Sequence, residues 1–324
     1  GVSFSYIWQQ NNIGGNGAYA NIAGANGPTF TPGQAQVNRR LRLVVLFTDN
    51  RGANEVVVSA PTMNIVGDEF IGSGAAETFN GTAGRDIAFG MGGADILTMG
   101  AGDDTAIGGA GNDTINTGGG DDVIRFGVGD GTDAVTGGAG TDRVEAAADG
   151  AVIGLSSIQG IEAITADGFS EIRIAGTGGG DTLDFSGVIL TGIVSIDGGG
   201  GADTITGSAA DDALNGGGGA DNLAGGTGAD ILNGGAGNDV LRFGANSGTD
   251  TINGFDADPA GGGQDLIDLS ALGVRAADFA TSVTLTRNNN NTIVRVGTTT
   301  ITVVGVRPGN NPGQLDITDF VLAP

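Results

Sequence analysis

The 324-residue chain contains no cysteine and no histidine, and all 13 of its basic residues are arginine. Zinc sites built on thiolate or imidazole are therefore excluded, as are the usual haem ligands, the Ser-His-Asp relay and the cysteine nucleophile. No G-x-S-x-G turn offers a nucleophilic serine either. Without cysteine there are no disulfides, which fits a chain that folds outside the cell by other means. Aromatic residues make up only 5%. No apolar run approaches the roughly 18 residues of a membrane span, and the first residues do not read as a charged, then apolar, leader. Positive charge is scarce, leaving a net charge of -24. Nucleic acid and anionic membrane surfaces would both meet like charge and are not expected as partners.

What is abundant is glycine, at 66 residues, and aspartate, at 31 of the 37 acidic residues. Composition alone would suit a disordered, self-repelling linker. Register argues against that. From Met63 the chain divides into seven nonapeptides ending at Arg125, the fullest being GGAGNDTIN at 108 to 116, and five more run from Gly198 to Arg242. Position six holds Asp68, Glu77, Asp86, Asp95, Asp104, Asp113 and Asp122 in the first run, and Asp203, Asp212, Asp221, Asp230 and Asp239 in the second. Position eight is an apolar anchor, such as Leu97, Ile115, Ile124, Leu223 and Leu241. A linker has no reason to keep a carboxylate and an anchor locked at ninefold spacing. Short aspartate arms and exposed glycine carbonyls suit a hard divalent cation, which takes six to eight oxygens.

The pattern G-G-x-G-x-D-x-U-x resembles the calcium-binding nonapeptide of the repeats-in-toxin (RTX) family. The resemblance implies an all-β fold, a parallel β-roll with two nonapeptides per turn, whose first six residues bind Ca2+ and whose last three form a strand. Each ion would lie between turns stacked on one side. Asp95 would then share a site with Asp113, Asp104 with Asp122, Asp203 with Asp221, Asp212 with Asp230, and Asp221 with Asp239. Asp68, Asp86, Asp142 and Asp181 hold the same position in weaker repeats, and carbonyls of Gly108, Ala110, Gly216, Gly218, Gly234 and Ala236 would complete the shells. Glu77 is one methylene longer than aspartate, and Arg85 brings a cation next to Asp86 in sequence, so both sites are expected to be weak or empty. One anchor per nine residues is a thin core for so glycine-rich a chain, which suggests that the metal drives folding.

The flanks differ. Residues 1 to 60 alternate apolar positions at Val2, Phe4, Tyr6 and Trp8 and again at Leu41, Leu43, Val45 and Phe47, the period of half-buried strands, with turns at Gly14-Gly15, Gly27-Pro28 and Pro32-Gly33. Through SYIWQ at 5 to 9, IAGANGPTFTP at 22 to 32 and RLRLVVLFTD at 40 to 49, this stretch resembles part of a bacterial immunoglobulin-like repeat, with Trp8 as core tryptophan. Repeats then occupy 61 to 145. Within 146 to 197, an irregular stretch of the solenoid, residues 146 to 175 lose the aspartates while aliphatics persist, which reads as solenoid rungs or, from the spacing of Leu155 to Ile164, as a short helical insertion, and GTGGGDTLD at 176 to 184 resumes the pattern. A second block spans 198 to 262. Residues 263 to 324 read as a β cap with a hairpin across Asn288 to Asn291, and Asp319-Phe320-Val321-Leu322 resembles an RTX export signal. The family resemblance implies the C-terminal part of a larger secreted protein, passed through type I secretion machinery and folded by external calcium, and since the residues offer no catalytic constellation this part is expected to be non-catalytic. Its parent would be an enzyme such as a peroxidase, protease or lipase, or a calcium-bridged adhesin or surface-layer component whose partners are neighbouring copies or a cell surface.

Overall fold

A computed structural model describes residues 4–11, 18–32, 36, 39–48, 54–62, 66–258, 264–309 and 314–324. From Val66 onward the chain winds as a parallel β-solenoid. The last three residues of each nonapeptide extend into a strand, as at Thr78–Asn80, Ile96–Thr98 and Thr105–Ile107. The middle residue of each triplet turns inward because side chains alternate along a strand: Leu97, Ile115, Leu223 and Leu241 are all buried. The next triplet lies on the opposite wall, so each strand pairs with the one two repeats on, Leu97 beside Ile115 and Leu214 beside Leu232. One apolar core runs from Phe79 to Phe320 between the two walls.

One wall is a single sheet of 13 strands, extending from Thr78–Asn80 through Ile193–Asp197 to the terminal hairpins. The other wall is broken into sheets of seven and six strands. At the break, Ile189–Thr191 pairs back with Ala163–Thr165, whereas Thr182–Asp184 pairs forward with Thr204–Thr206. A cleft of about 270 Å³ lined by Ile158, Glu162, Asp184 and Val188 opens there. The stretch from 146 to 175 contains strands Val152–Gln159, Ala163–Thr165 and Ile172–Ala175 and no helix. Ile153, Ile164 and Ile174 fill the core in place of the regular anchors.

Both walls are closed at the C-terminal end. Thr284–Asn288, Asn291–Val296 and Thr299–Val303 form an antiparallel meander, the last strand pairing parallel with Thr249–Asn253. Phe320–Val321 closes the other wall against Leu266–Asp268, and the Phe320 ring packs 5.0 Å from that of Phe279. The Asp-Phe-Val-Leu segment is thus built into the cap. Its four residues include the buried Asp319, which completes a capping box with Asp316.

At the other end lies a separate four-stranded antiparallel sheet, in which Phe4–Gln10 sits between Ala20–Asn21 and Leu41–Thr48, with Asn54–Val58 outermost. The described residues supply one layer here, not the two of a sandwich. Trp8 is half-buried against Phe30 and donates its indole N–H to the Gly27 carbonyl at 3.2 Å. Val2, Gly14-Gly15 and Gly33 lie outside the described residues.

Candidate metal centre

Position six is where the turn ends and the strand begins, and stacking places these aspartates in rows along each wall. Within a row every backbone N–H of position six donates to a carboxylate oxygen one coil further on. Asp86 donates to Asp104, Asp95 to Asp113 and Asp104 to Asp122, each at 2.7 Å. In the second run Asp203 donates to Asp221 at 2.8 Å, and Asp212 to Asp230 and Asp221 to Asp239 at 2.9 Å. Asp122 continues the first run to Asp142, and Asp181 leads into Asp203. Asp68 likewise donates to Asp86. Every residue pair expected from the ninefold spacing to share a site is therefore in direct contact.

Each carboxylate has a second oxygen, and here the protein leaves a need unmet. Oδ2 is buried without a hydrogen-bond partner in Asp95, Asp104, Asp113, Asp122, Asp142, Asp203, Asp221, Asp230, Asp239 and Asp250. An unpaired buried oxygen costs about 1–3 kcal/mol, more when charged, so ten of them demand a partner. Burial, reinforced by repulsion from Asp86, Asp122 and Asp103, pushes the Asp104 carboxyl up to about 7. Burial likewise raises Asp142 and Asp230 to about 6, and moves Asp113, Asp122, Asp203, Asp221 and Asp239 upward.

The space beside these oxygens suits a cation. A Cβ on Gly198 would lie 2.5 Å from Asp203 Oδ2 and 2.7 Å from the Gly216 carbonyl. Equivalent Cβ atoms on Gly90 and Gly216 would collide with Asp95 Oδ2 and the Gly108 carbonyl, and with Asp221 Oδ2 and the Gly234 carbonyl. Glycine thus keeps clear a space that a carboxylate oxygen and a carbonyl oxygen both face. The carbonyls of Ala110, Gly218 and Ala236 accept N–H groups of Gly93, Gly201 and Gly219 at 2.8, 2.6 and 2.7 Å, which leaves each one lone pair. Carboxylates and carbonyls without nitrogen or sulfur form the donor set of calcium. Among the described residues no three acidic side chains converge, so backbone carbonyls would have to supply much of each shell.

A family model, the RTX calcium-binding nonapeptide repeat, matches residues 71–106, 100–132, 128–149, 195–223 and 215–252. These are RTX repeats. They bind Ca2+, and the buried aspartates of their stacked turns fit it. No curated protein matches the chain. Among solved structures, the AlgE6R3 subunit of the Azotobacter vinelandii mannuronan C5-epimerase is 24% identical, with TM-score 0.29, over 51% of this chain and 81% of that one. The AlgE6R2 subunit of the same epimerase is 28% identical, with TM-score 0.27, over 47% and 92%. The extracellular lipase LipA from Serratia marcescens is 20% identical, with TM-score 0.25, over 74% of this chain and 40% of that one.

The RTX rows extend beyond the strict ninefold phase. Asp113 donates to Asp133 at 2.9 Å, Asp142 to Glu162 at 2.7 Å, Asp230 to Asp250 and Asp239 to Asp265 at 3.1 Å. The rows therefore run past the boundaries at 145, 198 and 262 expected for the two blocks. Burial raises Asp133 to about 7 and Asp265 to about 6. Spacings of 20 and 26 residues hid these members from a nine-residue register, although the repeated Gly-Thr-Asp at 131 to 133 and 248 to 250 marks two of them. Arg85 requires a correction. It is exposed while Asp86 is buried, because neighbours on a strand face opposite ways. It is Thr82 that engages Asp86, through its N–H at 2.6 Å and its hydroxyl at 3.0 Å.

Proposed function

We propose that this RTX module belongs to a larger secreted protein, crosses a type I exporter unfolded and is folded outside the cell by calcium, without catalysing a reaction itself. The observation that carries this reading is the set of ten buried, unpartnered carboxylate oxygens aligned in rows. Bringing them together without metal confines like charges in a poorly solvated space. Calcium would neutralise them, held by Asp95, Asp104, Asp113, Asp122, Asp203, Asp221, Asp230 and Asp239 with the carbonyls of Gly108, Gly216 and Gly234. At ion concentrations ten to a hundred times the dissociation constant, linkage yields about 1.4–2.7 kcal/mol per site. Several sites together match the usual stability of a domain, about 5–15 kcal/mol. Cysteine-free composition suits a chain that must stay unfolded before export and fold without cross-links afterwards. No helix among the described residues is long and apolar enough to cross a membrane.

Circular dichroism with and without a calcium chelator tests the proposal. The β signal is expected to appear on calcium addition and vanish on chelation. A β signal that survives chelation unchanged would overturn the folding switch, and full activity of this chain on an enzyme substrate would overturn the non-catalytic reading.

A further inference from the structure

Four position-six carboxylates differ from the rest. Glu77 accepts the N–H and hydroxyl of Ser73, Asp86 those of Thr82, Asp181 those of Thr177, and Asp212 those of Ser208. None of the four leaves a buried oxygen unpaired. The difference lies at position two of the turn. In the nine regular turns whose Oδ2 is unpaired, position two has φ between 75° and 117°, as at Met91, Gly217 and Gly138. That conformation aims the N–H away from the carboxylate, and side chains rarely tolerate it. Serine or threonine keeps φ negative, so its N–H and hydroxyl both reach the carboxylate four residues on.

Three of the four also share a position in the rows. Glu77, Asp181 and Asp212 each begin a row, whereas Asp86 follows Asp68 in its own row. The strands after Glu77 and Asp181 stand at the ends of their sheets, and the coil before Asp212 is the irregular rung Ile193–Asp197. We propose that Ser73, Thr82, Thr177 and Ser208 are calcium substitutes: each hydroxyl locks its turn without metal, and Ser73, Thr177 and Ser208 thereby provide a preformed first rung of a row for the calcium-dependent coils to stack on. Two donors already occupy the lone pairs a cation would need, so these turns take no ion. This inference rests on the calcium-binding reading above.

The test is a count of bound ions in the full chain, by titration against a chromophoric calcium chelator and by native mass spectrometry. Thr177→Gly and Ser208→Gly restore the turn that leaves the oxygen open, and each is expected to gain one calcium. Asp181→Asn is expected to leave the wild-type count unchanged, whereas Asp221→Asn lowers it by at least one. Thr177→Ser keeps the hydroxyl and should match wild type in both count and denaturation midpoint. Thr177→Ala should lower the midpoint with no change in count, a readout that does not depend on the glycine variants folding. Loss of an ion in Asp181→Asn, or an unchanged count in folded Thr177→Gly, would overturn the proposal. A wild-type chain that binds no calcium would overturn the calcium reading itself, a pattern distinct from either.

Discussion

A single aspartate in this fold has opposite effects on stability with and without metal. Asp221 is buried, accepts one N–H from Asp203 and leaves Oδ2 unpaired, and burial raises its carboxyl above the usual range. Asp221→Asn is therefore expected to destabilise the calcium-loaded chain by about 1.4–2.7 kcal/mol for each ion lost. In chelator the same change removes a buried charge and should be neutral or stabilising. Urea unfolding at saturating and at sub-saturating calcium checks the reversal: the loss should shrink as calcium is lowered, and a loss of equal size at both would refute it. The aspartates were legible in the sequence because one residue type recurs at one spacing. The serine and threonine partners were not, since position two varies and its meaning lies in a backbone angle. Arg85 misled for a related reason: adjacency in sequence places two residues on opposite faces of a strand.

At the level of strands and coils, the anchors were more legible than the turns. Inward side chains at position eight must meet a core of fixed width, so their pairing survives even where coil length changes, as when Val144 pairs with Ile164 and Ile174 with Ile196. Turns face solvent and absorb insertions, which moved Asp133, Asp250 and Asp265 out of phase. The broken wall was not legible either, because Thr182–Asp184 and Ile189–Thr191 each carry a central leucine, as a regular triplet does. That break predicts partial independence of the two halves. In hydrogen exchange at saturating calcium, Asp221→Asn should lower protection of strands from Thr182 to Asp268 while strands from Arg85 to Ala146 retain theirs. Equal loss along the whole solenoid would show that the intact wall couples the halves completely.

For the whole molecule, net charge of -24 and rows of buried carboxylates make pH a second control. In the metal-free fold Asp104 and Asp133 stand near 7, and Asp142, Asp230 and Asp265 near 6, all above the ordinary 3.8, chiefly through burial. The folded state thus binds protons more tightly than the unfolded chain. Its stability should fall as pH rises from about 4 through 7 and recover on acidification. Circular dichroism in chelator should accordingly show more β-structure at pH 5 than at pH 8, and a flat or rising stability over that interval would contradict the assignment. The solenoid and its calcium chemistry were readable from the repeats, whereas the N-terminal alternation specified strands without specifying how many layers they form. Finally, the closing strands Thr299–Val303 and Phe320–Val321 are each committed to one wall. Duplication or loss of repeats upstream can therefore proceed only by whole circuits of two nonapeptides. A gain of nine residues would deliver each lid to the wrong side, so growth of such a molecule comes in whole coils, eighteen residues in the regular runs and 20 to 26 where the turns are longer.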